Sequence, residues 1–140
     1  FTNMDESIIG GYKHLPQEGM VLILTKSYKD AMSIKSVTGY HAVTQLCETI
    51  VLKKHIMKEL QTRFSLVLTL FDNDETGIKL TRQYADAYKT PALTIPYQYE
   101  VSDFAELVDY KGPEKAKEIF DSMIEIPLIT YLNFKDDLPF

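Results

Sequence analysis

The stretch that most constrains this chain is residues 65–77, Ser-Leu-Val-Leu-Thr-Leu-Phe-Asp-Asn-Asp-Glu-Thr-Gly. Residues 66–71 are apolar or β-branched throughout, the pattern of a strand buried on both faces. The run ends in acid: Asp72, Asp74 and Glu75 crowd the point where the strand must stop, and Gly77 opens the next element. Leu80, Tyr84 and Tyr88 then recur at fourfold spacing, which predicts a helix. Strand, acidic turn and helix form one unit of an α/β sheet, and such sheets bind ligands at the carboxyl ends of their strands. Asp72 and Asp74 are two apart, so an extended backbone points both to one side. Carboxylates held that close repel unless a cation lies between them, and hard oxygen donors suit Mg²⁺ or Mn²⁺. The same residues also suit a helix N-cap, and spacing alone leaves the two readings level.

Around this unit the rest of the chain falls into order. Residues 1–18 carry Gly10, Gly11 and Pro16 with no apolar period, and read as loop with one short extended piece near Ile8 and Ile9. Residues 20–25, Met-Val-Leu-Ile-Leu-Thr, are a buried strand. A helix continues to about Val37, with Gly39 at its end, and a short strand spans residues 41–45. Strand, helix, strand at this spacing is a βαβ crossover, which implies parallel pairing. A second helix places Leu52, Ile56 and Leu60 on one face and ends at Arg63, with Glu48 and Thr49 as candidate caps. Residues 92–95 are expected as the fourth strand, stopped by Pro96. Asp103 is expected to cap a short helix with Glu106 as its capping-box partner, and Pro113 to open a last helix that Pro127 closes. The expectation is one α/β domain over residues 19–126, with a mainly parallel four-stranded sheet and helices on both faces. Residues 1–18 are then a loop segment, and residues 127–140 an extension or a linker to a further domain.

Composition narrows the function classes. A chain of 140 residues supports one sizeable core. No apolar run approaches the ~20 residues that cross a membrane. The single Cys47, in an apolar context, fits a buried thiol in a reducing cytoplasm. The first residue is Phe, which suggests a piece of a longer protein. A net charge of −5 disfavours nucleic-acid binding by overall field and leaves a local basic patch or bound metal as the routes to it. His14, His41 and His55 share no metal-ligand spacing, and no phosphate-binding glycine loop is present. Tyr97 and Tyr99 come after the expected fourth strand; they can stack on bases, although packing on the core is the commoner fate of such residues.

The order of elements, with Val-Leu-Ile-Leu-Thr-Lys-Ser-Tyr-Lys-Asp at residues 21–30 and Phe-Asp-Asn-Asp-Glu-Thr-Gly at residues 71–77, resembles the Toprim domain of primases, topoisomerases and some nucleases. The second run is closest to the primase and phage primase–helicase branch. That resemblance implies Mg²⁺- or Mn²⁺-dependent nucleotidyl transfer, with Asp72 and Asp74 as metal ligands. The implied partners are a DNA template, nucleotides and other domains of a larger replication protein. Haloacid-dehalogenase-type phosphatases share a similar acidic string but place it on their first strand, whereas here a complete βαβ unit precedes it.

One departure matters. The family's first strand usually ends in a glutamate that acts as acid, base or metal ligand, and Lys26 stands there instead. Three roles are open to Lys26: an ion pair with Asp72 or Asp74, a contact to substrate phosphate (shared with Lys29), or the mark of a site that binds without catalysing. Glu48, just after the second strand, is the candidate replacement acid. Asp30 matches a family aspartate and also suits charge compensation at a helix start. Asp103 approaches the same edge, as cap or ligand. With an ammonium near Asp72, the acid's pKa is expected to fall and Mg²⁺ binding to be weak.

Overall fold

A computed structural model describes residues 9–46 and 51–134 of the chain. Cys47, Glu48 and Thr49, and with them the expected thiol, replacement acid and helix caps, lie outside the described residues, as do Ile8 and residues 135–140. The strands are β1 (Ile9–Gly10), β2 (Gly19–Thr25), β3 (His41–Gln45) and β4 (Phe64–Thr69). The helices are α1 (Tyr28–Thr38), α2 (Lys54–Arg63), α3 (Glu75–Tyr88), α4 (Phe104–Lys111) and α5 (Pro113–Phe134).

The sheet order is β1-β3-β2-β4, with β2 parallel to both β3 and β4 and β1 antiparallel at the edge. Alternation along the central strands divides the interior into two cores. Val21 and Ile23 of β2 and Leu66 and Leu68 of β4 face one layer, where they meet Ile34 of α1, Phe104 and Leu107 of α4, and Phe120 and Ile124 of α5. Leu22, Leu24 and Val67 face the other, against Ile56, Met57 and Leu60 of α2 and Leu80 and Tyr84 of α3. Apolar residues at successive positions are what a strand covered on both sides requires.

Three details differ from the sequence expectation. The fourth strand is β1, not residues 92–95; that segment joins β4 only through a parallel bridge between Thr69 and Ala92. Pro91 and Pro96 bracket it, and a proline has no N–H to extend a ladder. Helix α2 starts at Lys54 with Lys53 at its N-cap, later than a cap at Glu48 or Thr49 allows. Pro127 does not close α5, which runs on to Phe134. Pro127 removes one helical hydrogen bond, but Leu128 and Tyr131 continue the stripe of Ile124 and keep packing on the same core. Among the described residues no helix is long and apolar enough to cross a membrane.

Candidate metal centre

The candidate centre lies at the carboxyl edge of the sheet, where β2 and β4 pair side by side from Gly19 and Phe64 to Leu24 and Thr69. Their ends deliver Lys26 and Asp72 to one edge, as the sequence predicts. The acidic turn is fixed by its own backbone. The Asp74 carboxylate caps α3 by accepting the Gly77 N–H at 2.7 Å. A side chain on Gly77 would place its Cβ 2.0 Å from the Asp72 carbonyl oxygen, so only glycine lets the turn fold onto the helix start. Asn73 ties this turn to the chain leading into α4: its backbone N–H donates to Ser102 O and its Nδ2 to Ile95 O, each at 2.7 Å.

That tie brings in Asp103, the N-cap of α4, whose Oδ1 accepts the Glu106 N–H at 2.8 Å. Asp30 arrives from the first turn of α1. Its backbone N–H donates to the Ser27 hydroxyl at 3.2 Å, and its own Oδ1 accepts the Ala105 N–H at 2.9 Å across the α1–α4 contact. Asp30, Asp72 and Asp103 thus converge, with a carboxylate oxygen of each within 4.8 Å of the others.

The electrostatics record the crowding. Asp30 is buried, and burial chiefly pushes its pKa up to about 6, with Asp103 and Asp72 adding to the rise against the hydrogen bonds from Ala105 and Ser27. Asp72 is also pushed up, first by burial and then by Asp103 and Asp74. Lys26 pulls Asp72 down, as expected of a nearby ammonium, but burial and the other carboxylates override it. Lys26 forms no ion pair with a described carboxylate and acts on Asp72 through space. Lys29 pairs with Asp109 at 3.6 Å, both side chains exposed, a contact of small energetic weight.

The donor set fits a divalent cation. Ligands on opposite sides of Mg²⁺ lie ~4 Å apart, so oxygens within 4.8 Å can close on one ion with little adjustment. Bringing three acids together raises the energy of the charged state, and a cation lowers it. Asp74 is expected from the sequence as a ligand alongside Asp72; it is not among the three converging acids. Asp30 and Asp103 carry more of the centre than their separate sequence contexts suggest. Their sequence signal is an acid at a helix start: Asp30 in the first turn of α1 and Asp103 at the N-cap of α4. Tyr99 packs against the core, while Tyr97 is exposed.

Comparison with known proteins agrees with this geometry. The Toprim domain profile matches residues 21–103, more than half of the chain. The primase fragment of the bacteriophage T7 primase–helicase is similar in fold, with a TM-score of 0.57 and 20% identity over 77% of this chain and 46% of that one. A chain of the assembly in which bacteriophage T7 lagging-strand DNA polymerase interacts with primase domains matches with a TM-score of 0.51 and 17% identity, over 79% of this chain and 57% of that one. A small Toprim domain protein from Bacillus stearothermophilus matches with a TM-score of 0.50 and 20% identity, over 73% of this chain and 88% of that one. This chain therefore spans about half the length of the T7 chains it resembles. Among curated protein sequences there is no match. With the profile spanning β2 through the Asp103 cap, and the acids of that span meeting at one sheet edge, the chain belongs to the Toprim family.

Proposed function

We propose that this domain is the metal-dependent nucleotidyl-transfer module of a primase-type replication protein, acting in the cytoplasm on a DNA template and nucleotides with other domains of its parent. The observation that carries the reading is the convergence of Asp30, Asp72 and Asp103 within 4.8 Å. These three residues would hold Mg²⁺ or Mn²⁺, with Asp74 as the cap that fixes the turn. The bound ion would supply charge neutralisation for a triphosphate and its leaving pyrophosphate. The Asn73 bonds tie the segments that carry Asp72 and Asp103 to each other. On this reading Lys26, whose charge acts on Asp72, would meet a phosphate oxygen. One structural neighbour comes from a T7 assembly of lagging-strand DNA polymerase and primase domains bound to an RNA/DNA hybrid and dTTP, which supports the reading that nucleic acid and nucleotides are the substrates here.

A second reading comes from Lys26 itself. An ammonium where the family usually has an acid suits a module that binds nucleic acid or a partner without catalysis. Template-directed synthesis separates the two. The chain is incubated with single-stranded DNA, nucleotides and Mg²⁺ or Mn²⁺. Oligonucleotide product that disappears in Asp72→Asn and Asp103→Asn is expected. Product that persists in both variants would contradict the reading, and binding of Mn²⁺ and DNA without product would favour the second one.

A further inference from the structure

The two halves of α5 treat their outer face differently. In the amino half that face is polar and its charges are matched: Lys115 pairs with Glu118 at 3.5 Å and Lys117 with Asp121 at 2.8 Å. In the carboxyl half, Ile124, Leu128 and Tyr131 turn inward onto the core shared with α1 and α4. Ile126, Ile129 and Leu132 stand on the other side at steps of three residues, and they are 72%, 48% and 55% exposed. Residues three or four apart on a helix lie one above another, so these three form a single apolar stripe. One exposed apolar side chain is ordinary, but three on successive turns of one helix are a patch with a use. Helix α5 carries none of the three acids of the candidate centre, so the stripe is a separate feature of the fold.

The charge around the stripe selects what fits it. From residue 118 to residue 134 the chain has Glu118, Asp121 and Glu125 and no Lys or Arg. Glu118 and Asp121 are matched by the two lysines before them. Glu125 is exposed and forms no ion pair among the described residues. It lies four residues before Ile129, on the same face, so the stripe begins at an uncompensated carboxylate. A second copy of α5 would bring the same carboxylate and, over residues 118–134, no cation to answer it. A basic amphipathic helix answers both features. Its apolar residues pack ridge into groove on Ile126, Ile129 and Leu132, and a Lys or Arg beside them reaches Glu125.

We infer that the outer face of the carboxyl half of α5 is a docking surface for a basic amphipathic helix of a partner protein, with Ile126, Ile129 and Leu132 as apolar anchors and Glu125 as the charge contact. The docking needs neither metal nor nucleic acid, so its test stands apart from that of the nucleotidyl-transfer reading. The probe is a fluorescein-labelled peptide of about 18 residues, long enough to hold a helix, with Leu on one face and Lys on the other. The control peptide has Glu in place of every Lys. Binding is read by fluorescence anisotropy in EDTA, with circular dichroism as the check on folding. The wild-type chain is expected to bind the Leu/Lys peptide and to reject the Leu/Glu one. The double variant Ile126→Gln, Ile129→Gln keeps the charge and the helix, and should weaken binding about tenfold. Glu125→Gln should weaken it about threefold and lower its salt dependence. Wild-type affinity in the folded double variant would overturn the docking surface, because the peptide would then be held by charge elsewhere, as at the acidic edge. Equal binding of the two peptides, or binding of neither, would overturn it as well. So would a concentration-dependent dimer, or attachment to phosphatidylcholine vesicles, that the double variant loses, since the stripe would then face a second copy or lipid.

Discussion

The two layers of this domain each bury polar groups, and they treat them in opposite ways. Between α3 and the neighbouring strand and loop, the fully buried Tyr84 hydroxyl donates to Gln45 Oε1 and accepts the Leu52 N–H at 2.9 Å, while the Tyr88 hydroxyl donates to Leu52 O. Every donor in that set meets an acceptor, so the network holds structure together. At the carboxyl edge, Asp30, Asp72 and Asp103 meet like charge with like charge, and the pKa values of Asp30 and Asp72 rise in response. A fold keeps such an arrangement at a cost in stability, and that contrast supports the proposal that the edge is the functional side and the tyrosine network scaffold.

The largest effect expected from the contrast is a pH dependence. The Asp30 pKa stands above its ordinary 3.8, at about 6, so its stabilising contribution is complete below pH 3.8 and is lost as pH rises through 6. The size of that loss is about 3 kcal/mol. Asp30→Asn keeps an acceptor for the Ala105 N–H and removes the charge. It should therefore exceed the wild type in stability by up to about 3 kcal/mol at pH 8, with the gap closing near pH 4. Urea denaturation across that range reads it, and identical pH profiles for the two proteins would erase the contrast.

The tyrosine layer should respond in the other direction. Tyr84→Phe leaves the ring packed but strips the Leu52 N–H of its acceptor, and is expected to destabilise by about 1–3 kcal/mol at every pH between 5 and 9. Thermal unfolding checks this. A neutral result would mean that solvent replaces the hydroxyl and the network is not scaffold.

A smaller effect is expected at Lys26. Lys26→Met should push the Asp72 carboxyl further up, since it removes the one described charge that lowers it. Lys26→Glu should strengthen Mn²⁺ binding several-fold by adding a donor at the edge. NMR titration of Asp72 reads the first and calorimetry the second. Equal or weaker Mn²⁺ affinity in Lys26→Glu would mean that the ammonium points away from the centre and that the strand ends are misaligned with the family's.

Particular residues explain which parts of this were legible in the sequence. The strand of residues 20–25 and its neighbour β4 stand out because burial on both faces forces an unbroken apolar run. Gly39, with φ of 82°, marks the end of α1 because the left-handed region favours glycine. Pro127 misleads because helix-breaking is a local rule, while Leu128 and Tyr131 hold α5 by tertiary packing. The two-residue β1 is legible only as the short extended piece near Ile9, and no periodicity marks it as a strand of the sheet. At the site, Asp72 is readable from its place at the end of a buried strand. Asp30 and Asp103 each sit at the start of a helix, where an acid has an ordinary local role, and each performs it or its equivalent. Their meeting is made by the α1–α4 contact and the Asn73 tie, which join residues far apart in sequence.

The measurement that bears most directly on the candidate centre is Mn²⁺ binding by Asp103→Asn. Asparagine caps a helix as well as aspartate does, so α4 and the fold should survive the change. The wild-type chain is expected to bind Mn²⁺, weakly, and Asp103→Asn to lose that binding while its circular dichroism and unfolding midpoint stay at or above those of the wild type. Undiminished Mn²⁺ affinity in folded Asp103→Asn would contradict the three-acid centre, because the cation would then be held without one of the acids that the fold brings together.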